Sequence, residues 1–155
     1  MSTLSADDFA AIFAQSLEIV VHKISGFNVH EIQNTHQERS DNMIAMLLLP
    51  GQHHKMLFIS ACEHTMRTLC AYMIGSAPED FTRDELEDAL CEIANMTAGN
   101  AKLMLMNDYD NMFSITSPIT IRGEALSVNT KKRVPILTRT VGCDGISIHI
   151  RIIRI

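Results

Sequence analysis

The 155-residue chain has no tryptophan, only two tyrosines and four prolines, and four cysteines without a C-x-x-C pair. It has no Pro/Ser linker and no low-complexity tract, which excludes an extended or multi-segment organisation. Its longest apolar run, Met43 to Pro50, is far shorter than the roughly 20 residues that a bilayer requires, so no membrane partner is expected. The opening Met1-Ser2-Thr3-Leu4-Ser5-Ala6-Asp7-Asp8 lacks a basic start and an apolar signal segment, and a cytoplasmic location is expected. Three of the cysteines, Cys62, Cys70 and Cys91, fall in predicted helices amid apolar neighbours, and with Cys143 they read as thiols in a reducing compartment. No G-x-G-x-x-G, P-loop, Ser-His-Asp or Cys-His motif occurs. His53-His54 and Glu63-His64 lie in a loop and at a helix start without a ligand set at site-like spacing, so no metal site is expected.

The formal net charge of -5 argues against a nucleic-acid partner. The charge is uneven: residues 1–120 carry 6 basic against 16 acidic residues, residues 121–155 carry 7 against 2. The basic end reads as the solvated faces of strands, with a docking surface as the alternative. What is present is an ordinary globular composition, 46% apolar and 20% charged, and ten methionines that suggest a soft, adaptable core. The length suits a single domain, residues 1–155, that buries roughly two thirds of its unfolded surface.

Apolar residues at Phe9, Ile12, Phe13, Leu17, Val20, Val21 and Ile24 predict an amphipathic helix stopped by Gly26. Val29 to Asp41 is polar and His-rich, either a poor strand or a loop. Met43–Leu49 and Lys55–Ala61 read as an antiparallel hairpin across Pro50-Gly51-Gln52-His53-His54. A helix over Cys62–Ile74, with Met66, Leu69, Cys70 and Met73 on one face, ends at Gly75. Strand candidates follow at Phe113–Thr116, Ile119–Arg122, Ala125–Asn129, Val134–Val141 and Ile146–Ile155, with Asp144-Gly145 as a hairpin turn. In the last strand Ile146, Ile148, Ile150 and Ile152 alternate with Ser147, His149 and Arg151, which predicts one buried and one wet face. The order predicts an α+β fold, helices packed on a mostly antiparallel sheet.

Between the two halves lies Thr82 to Met106, one long amphipathic helix that opens on a Thr82/Glu85 capping box. At about 100° per residue Leu86, Leu90, Ile93, Thr97, Ala101 and Met104 form one apolar stripe, and Asp88, Glu92, Asn95 and Gly99 line the opposite one. The core face is complete without them. Glu92 and Asn95 are thus offered to solvent or to a partner one turn apart. The first helix has a weak counterpart in Glu18, but Val21 stands where the amide would be.

Asp88-x-x-x-Glu92-x-x-Asn95, with Pro118 placed 23 residues after the asparagine, resembles the signature of the CheC/CheX/FliY phosphatases of bacterial chemotaxis. The resemblance runs from about Met43 to the C-terminus and includes Gly75, the run EIANMTAGNAK and the Ser117-Pro118 step. With one copy of the motif the chain is more similar to the CheX branch than to CheC. The resemblance implies a CheX-like or CheC-like fold and hydrolysis of an aspartyl phosphate on a CheY-like receiver domain. It implies that Asn95 orients the attacking water and that Glu92 pairs with the receiver's active-site lysine. It further implies no cofactor of the protein's own, with Mg²⁺ brought by the receiver, and a homodimer, which would also cover exposed sheet edges.

Three supporting positions read less directly. Asp88 sits among the acids of the first helical turns, where the helix dipole alone favours it by ~0.3–1 kcal/mol. Pro118 is expected to fix the loop that frames the helix face. Gly99 costs the helix ~1 kcal/mol relative to alanine and is expected to permit close approach by a neighbouring element or a partner. Two rivals stand beside the enzyme: a noncatalytic CheX-like binding module, and a structural protein of the flagellar-switch type.

Overall fold

In the computed structural model residues 4–33, 40–131 and 133–154 are described, with the Tyr109 side chain set aside. Three helices, α1 (Ala6–Ser25), α2 (Glu63–Ile74) and α3 (Arg83–Met104), accompany six strands: β1 (His30–Ile32), β2 (Met43–Leu49), β3 (Lys55–Ala61), β4 (Ile119–Arg122), β5 (Ile136–Cys143) and β6 (Ile146–Arg154). The strands form one sheet in the order β1-β5-β6-β3-β2-β4, every neighbouring pair antiparallel. The α+β expectation is met.

Local chemistry sets the helix ends. Ser5 caps α1, its hydroxyl accepting from the Asp8 N–H at 3.0 Å, and Gly26 closes it at φ 80°. The period-2 side chains of the strands then decide which face meets the helices. Met43, Ala45, Leu47, Leu57, Ile59, Ile148, Ile150 and Ile152 point into one large core with Phe13, Leu17, Met66, Leu69, Leu86, Leu90 and Ile93 from the helices.

The opposite sheet face is less wet than the alternation predicts. Ile44, Phe58 and Ile153 form a second cluster there, covered by Leu126 and Val128. His149 is 2% exposed rather than solvated, in a buried polar group with Asp41, Thr140 and Ser60. The reason is that residues 123–128 fold back over this face, the Gly123 N–H donating to the Asn42 carbonyl at 3.3 Å and the Leu126 N–H to the Asp41 carbonyl at 2.8 Å. Ala125–Asn129 is accordingly not a strand; Ala125 adopts φ 48°, outside the β region. Phe113–Thr116 is not a strand either; it lies beside β2 through an isolated bridge from Phe113 to Gly51 and through bonds from the Ser114 and Thr116 N–H groups to the Pro50 and Leu48 carbonyls. Of Val29 to Asp41, β1 is a short strand, and residues 34–39 lie outside the described residues, as does Ile155.

Candidate functional site

Thr82 caps α3, its hydroxyl accepting the Glu85 N–H at 3.2 Å and donating to the Glu85 carboxylate at 3.0 Å. The carboxylate therefore takes the threonine hydroxyl where a full capping box would take the backbone N–H. Leu86, Leu90, Ile93, Ala94, Thr97, Ala98 and Ala101 are buried against the sheet and α1. Met104 is exposed, contrary to the predicted stripe; Leu105, just beyond the helix end, turns inward in its place. The apolar face fixes the opposite one: Asp88, Glu92 and Asn95 are exposed.

A wall faces this helix. From Phe113 to Arg122 the chain runs antiparallel beside β2, but not in one register. Gly51 pairs with Phe113 and Met46 with Ile119, so the outer chain spends six steps against five in β2. The extra residue falls beside Ser117-Pro118, where proline has no N–H to give to the ladder, and the result is a bulge. Thr116 anchors its inner side: its N–H donates to the Leu48 carbonyl at 3.1 Å and its hydroxyl accepts the Leu48 N–H at 2.8 Å. Pro118, expected to frame the helix face, sits at this bulge.

Helix and wall enclose an open cleft of about 200 Å³ lined by Cys91, Glu92, Asn95, Ile115, Thr116, Ser117 and Pro118. Among the predicted site residues, the structure brings Glu92, Asn95 and Pro118 together. Asp88 and Gly99 occupy the same stripe one turn to either side and do not line the cleft. Among the described residues a Cβ added at Gly99 meets nothing within 4 Å, so none of them requires the glycine. Cys91, Ile115 and Thr116 were not foreseen. Cys91 is legible only as the neighbour of Glu92, and the other two only once the wall's register is known.

The electrostatics disfavour the thiolate of the one cysteine that lines the cleft. Burial first, and then the nearby Asp88 and Glu87 carboxylates, push the Cys91 thiol above its usual range and keep it protonated. Among the described residues neither Glu92 nor Asn95 has a hydrogen-bond or ion-pair partner within the chain. By contrast, Glu18 on α1 is already engaged, its carboxylate accepting the Glu31 N–H at 2.7 Å.

One turn before the cleft, Glu87 is nearly buried and accepts from Arg122 of β4 at 2.7 Å, and Asp84 accepts from the same guanidinium. The hydrogen bond from Arg122 holds the Glu87 carboxyl below its ordinary value, against the opposing effect of burial. This clamp fastens the strand that follows the bulge to the helix that carries the polar pair. Among the described residues no group of three or more His, Cys, Asp or Glu could hold a metal ion. Among them, too, no helix is long and apolar enough to cross a membrane.

A family model described as chemotaxis phosphatase CheX matches residues 43–141, a span that runs from β2 into β5 and includes α3, the bulge and the clamp. The chain belongs to the CheX chemotaxis phosphatase family. Solved structures agree on the fold. The chemotaxis protein CheX from Vibrio vulnificus superposes with a TM-score of 0.82 at 19% identity, covering 100% of both chains. The CheX of a CheX-CheY-BeF3-Mg²⁺ complex from Borrelia burgdorferi gives 0.74 at 18% identity over 96% of this chain and 98% of the other. Thermotoga maritima FliY gives 0.67 at 14% over 94% and 86%. No curated protein matches the chain.

Proposed function

We propose that this protein hydrolyses the aspartyl phosphate of a CheY-like receiver domain, with Asn95 orienting the attacking water and Glu92 pairing with the receiver's active-site lysine. The observation that carries the reading is the exposed Glu92/Asn95 pair, held one turn apart on a helix anchored along its whole opposite face, with no partner among the described residues. An amide can donate and accept hydrogen bonds without ionising, which suits it to hold a water in line. The water oxygen bonds to phosphorus as the phosphorus–oxygen bond to the aspartate breaks; the bonding pair stays on the aspartate carboxylate and both water protons leave with the phosphate. An acyl phosphate is already reactive, so positioning supplies most of the help and no nucleophile is required. Mg²⁺ would come with the receiver, in keeping with the BeF3 and Mg²⁺ of the Borrelia complex.

Asp88 and Gly99, outside the cleft, would act at its margins: Asp88 as a helix-dipole residue, Gly99 by leaving room for the receiver. Pro118 would hold the bulged wall. The active unit would be the whole of residues 1–155, working in the cytoplasm. We further read it as a homodimer, because β4 is an edge strand whose Ile119 and Ile121 stand exposed at 54% and 37%.

The test is to charge a purified receiver with a small phosphodonor and add the protein at one twentieth of the receiver concentration. Phosphate loss accelerated through many turnovers supports the enzyme. Binding without acceleration would favour the noncatalytic module. The switch-type structural role, which the likeness to FliY keeps in view, predicts neither.

A further inference from the structure

A second cavity, of about 310 Å³, lies away from the Glu92/Asn95 cleft and shares no lining residue with it. Its walls are Leu4 just before α1, Ala6 and Phe9 of α1, Pro135 just before β5, and Leu137 and Ile152 of the sheet. A volume of this size falls at the lower end of small-molecule sites and would hold roughly ten water-sized groups.

Two cations stand at its rim in an arrangement that sheet packing disfavours. Lys55 of β3 and Arg154 of β6 are directly opposite each other across the strand pair, and both belong to the side-chain row that faces the helices. Like charges opposite one another in a ladder repel. Among the described residues neither has a carboxylate within ion-pair distance: the Lys55 ammonium sits 4.4 Å from the Phe9 ring centroid and 3.4 Å from the His53 carbonyl, and Arg154 donates to His53 Nδ1 at 2.8 Å. Burial and the neighbouring Arg154 draw the Lys55 ammonium below its usual range, as expected of an uncompensated pair. The lining holds one acid, the exposed Asp110, against Lys55, Arg154 and His53.

We propose that this cavity binds a small amphipathic anion, whose apolar body lies against Phe9, Leu137 and Ile152 and whose carboxylate or phosphate head sits between Lys55 and Arg154. Each half of such a ligand has a counterpart. Apolar surface removed from water favours the body, and a charge-assisted pair with two cations that otherwise repel favours the head. A neutral ligand leaves the repulsion in place, and a small inorganic anion leaves the cavity unfilled.

The experiment titrates the full chain with octanoate, octyl phosphate, octanol and acetate, following both calorimetry and amide resonances. Octanoate or octyl phosphate is expected to bind at least about tenfold more tightly than octanol or acetate, and to shift resonances at Ala6, Phe9 and Leu137. Which of the two binds better identifies the head group. Arg154→Gln, an exposed position, should weaken octanoate about tenfold without changing octanol. Lys55→Met, which keeps an apolar stem, should do the same. If neither octanoate nor octyl phosphate binds better than octanol, or if the tighter of the two is indifferent to both substitutions, the proposal is overturned.

Discussion

Arg122 and Glu87, 35 residues apart in sequence, join the edge strand β4 to α3 through a guanidinium that meets both oxygens of one nearly buried carboxylate. The pair matters because of what flanks it. Glu92 follows Glu87 by five residues on the helix, and Pro118 precedes Arg122 by four in the chain, so the ion pair ties together the two elements that form the walls of the cleft. Arg122→Met and Glu87→Gln should each lower Tm and slow phosphatase turnover, while the double variant should be no worse than the poorer single one. Additive losses in a double-mutant cycle would show that the two residues act separately.

Acid should release the same clamp. Glu87 has a lowered pKa in the folded state, so its contribution is complete above the ordinary carboxylate value of about 4.5 and is lost as pH falls through the lowered folded value. In wild type the Tm should therefore drop more steeply below pH 4.5 than in Glu87→Gln. Equal slopes would contradict the assignment.

His149 should govern a higher window. Burial holds its imidazole below the usual value of 6.5, opposed by Asp41 and reinforced by Arg151. The unfolded chain then binds a proton that the folded chain does not, so stability rises with pH through this window and begins to fall as pH drops below 6.5. Denaturant midpoints at pH 7 and pH 5.5 should differ in wild type and differ less in His149→Gln.

Gly99 separates helix stability from docking. None of the described residues lies where its Cβ would be, so Gly99→Ala should stabilise α3 by ~0.5–1 kcal/mol through propensity alone. If the glycine leaves room for the receiver, the same variant should raise KM for the phosphorylated receiver. A stabilised variant with unchanged KM would remove Gly99 from the interface.

Much of this molecule was readable before any coordinates. The α3 stripe, the β2–β3 hairpin, Gly26, Gly75 and the Asp144-Gly145 turn each rest on local chemistry: a helical period, a strand alternation, a residue able to adopt positive φ. Glu92 and Asn95 were legible for the same reason, because a completed apolar face leaves its opposite to the solvent. What escaped depended on contacts distant in sequence. Leu126 and Val128 carry a strand-like pattern, yet they cover Ile44, Phe58 and Ile153 on the far sheet face, and His149, which alternation alone placed in water, is buried beside Asp41 and Thr140. The bulge at Ser117-Pro118 needs the register of two chains at once, and Arg122's hold on Glu87 needs the sheet order.

The most direct measurement compares kcat and KM for wild type, Asn95→Ala and Glu92→Ala acting on a phosphorylated receiver, with circular dichroism as the check on folding. Both positions are exposed, so both variants should keep wild-type stability to within ~0.5 kcal/mol. Asn95→Ala should lose kcat by about a hundredfold with KM little changed, and Glu92→Ala should chiefly raise KM. Folded variants that turn over the receiver phosphate as fast as wild type would contradict the account.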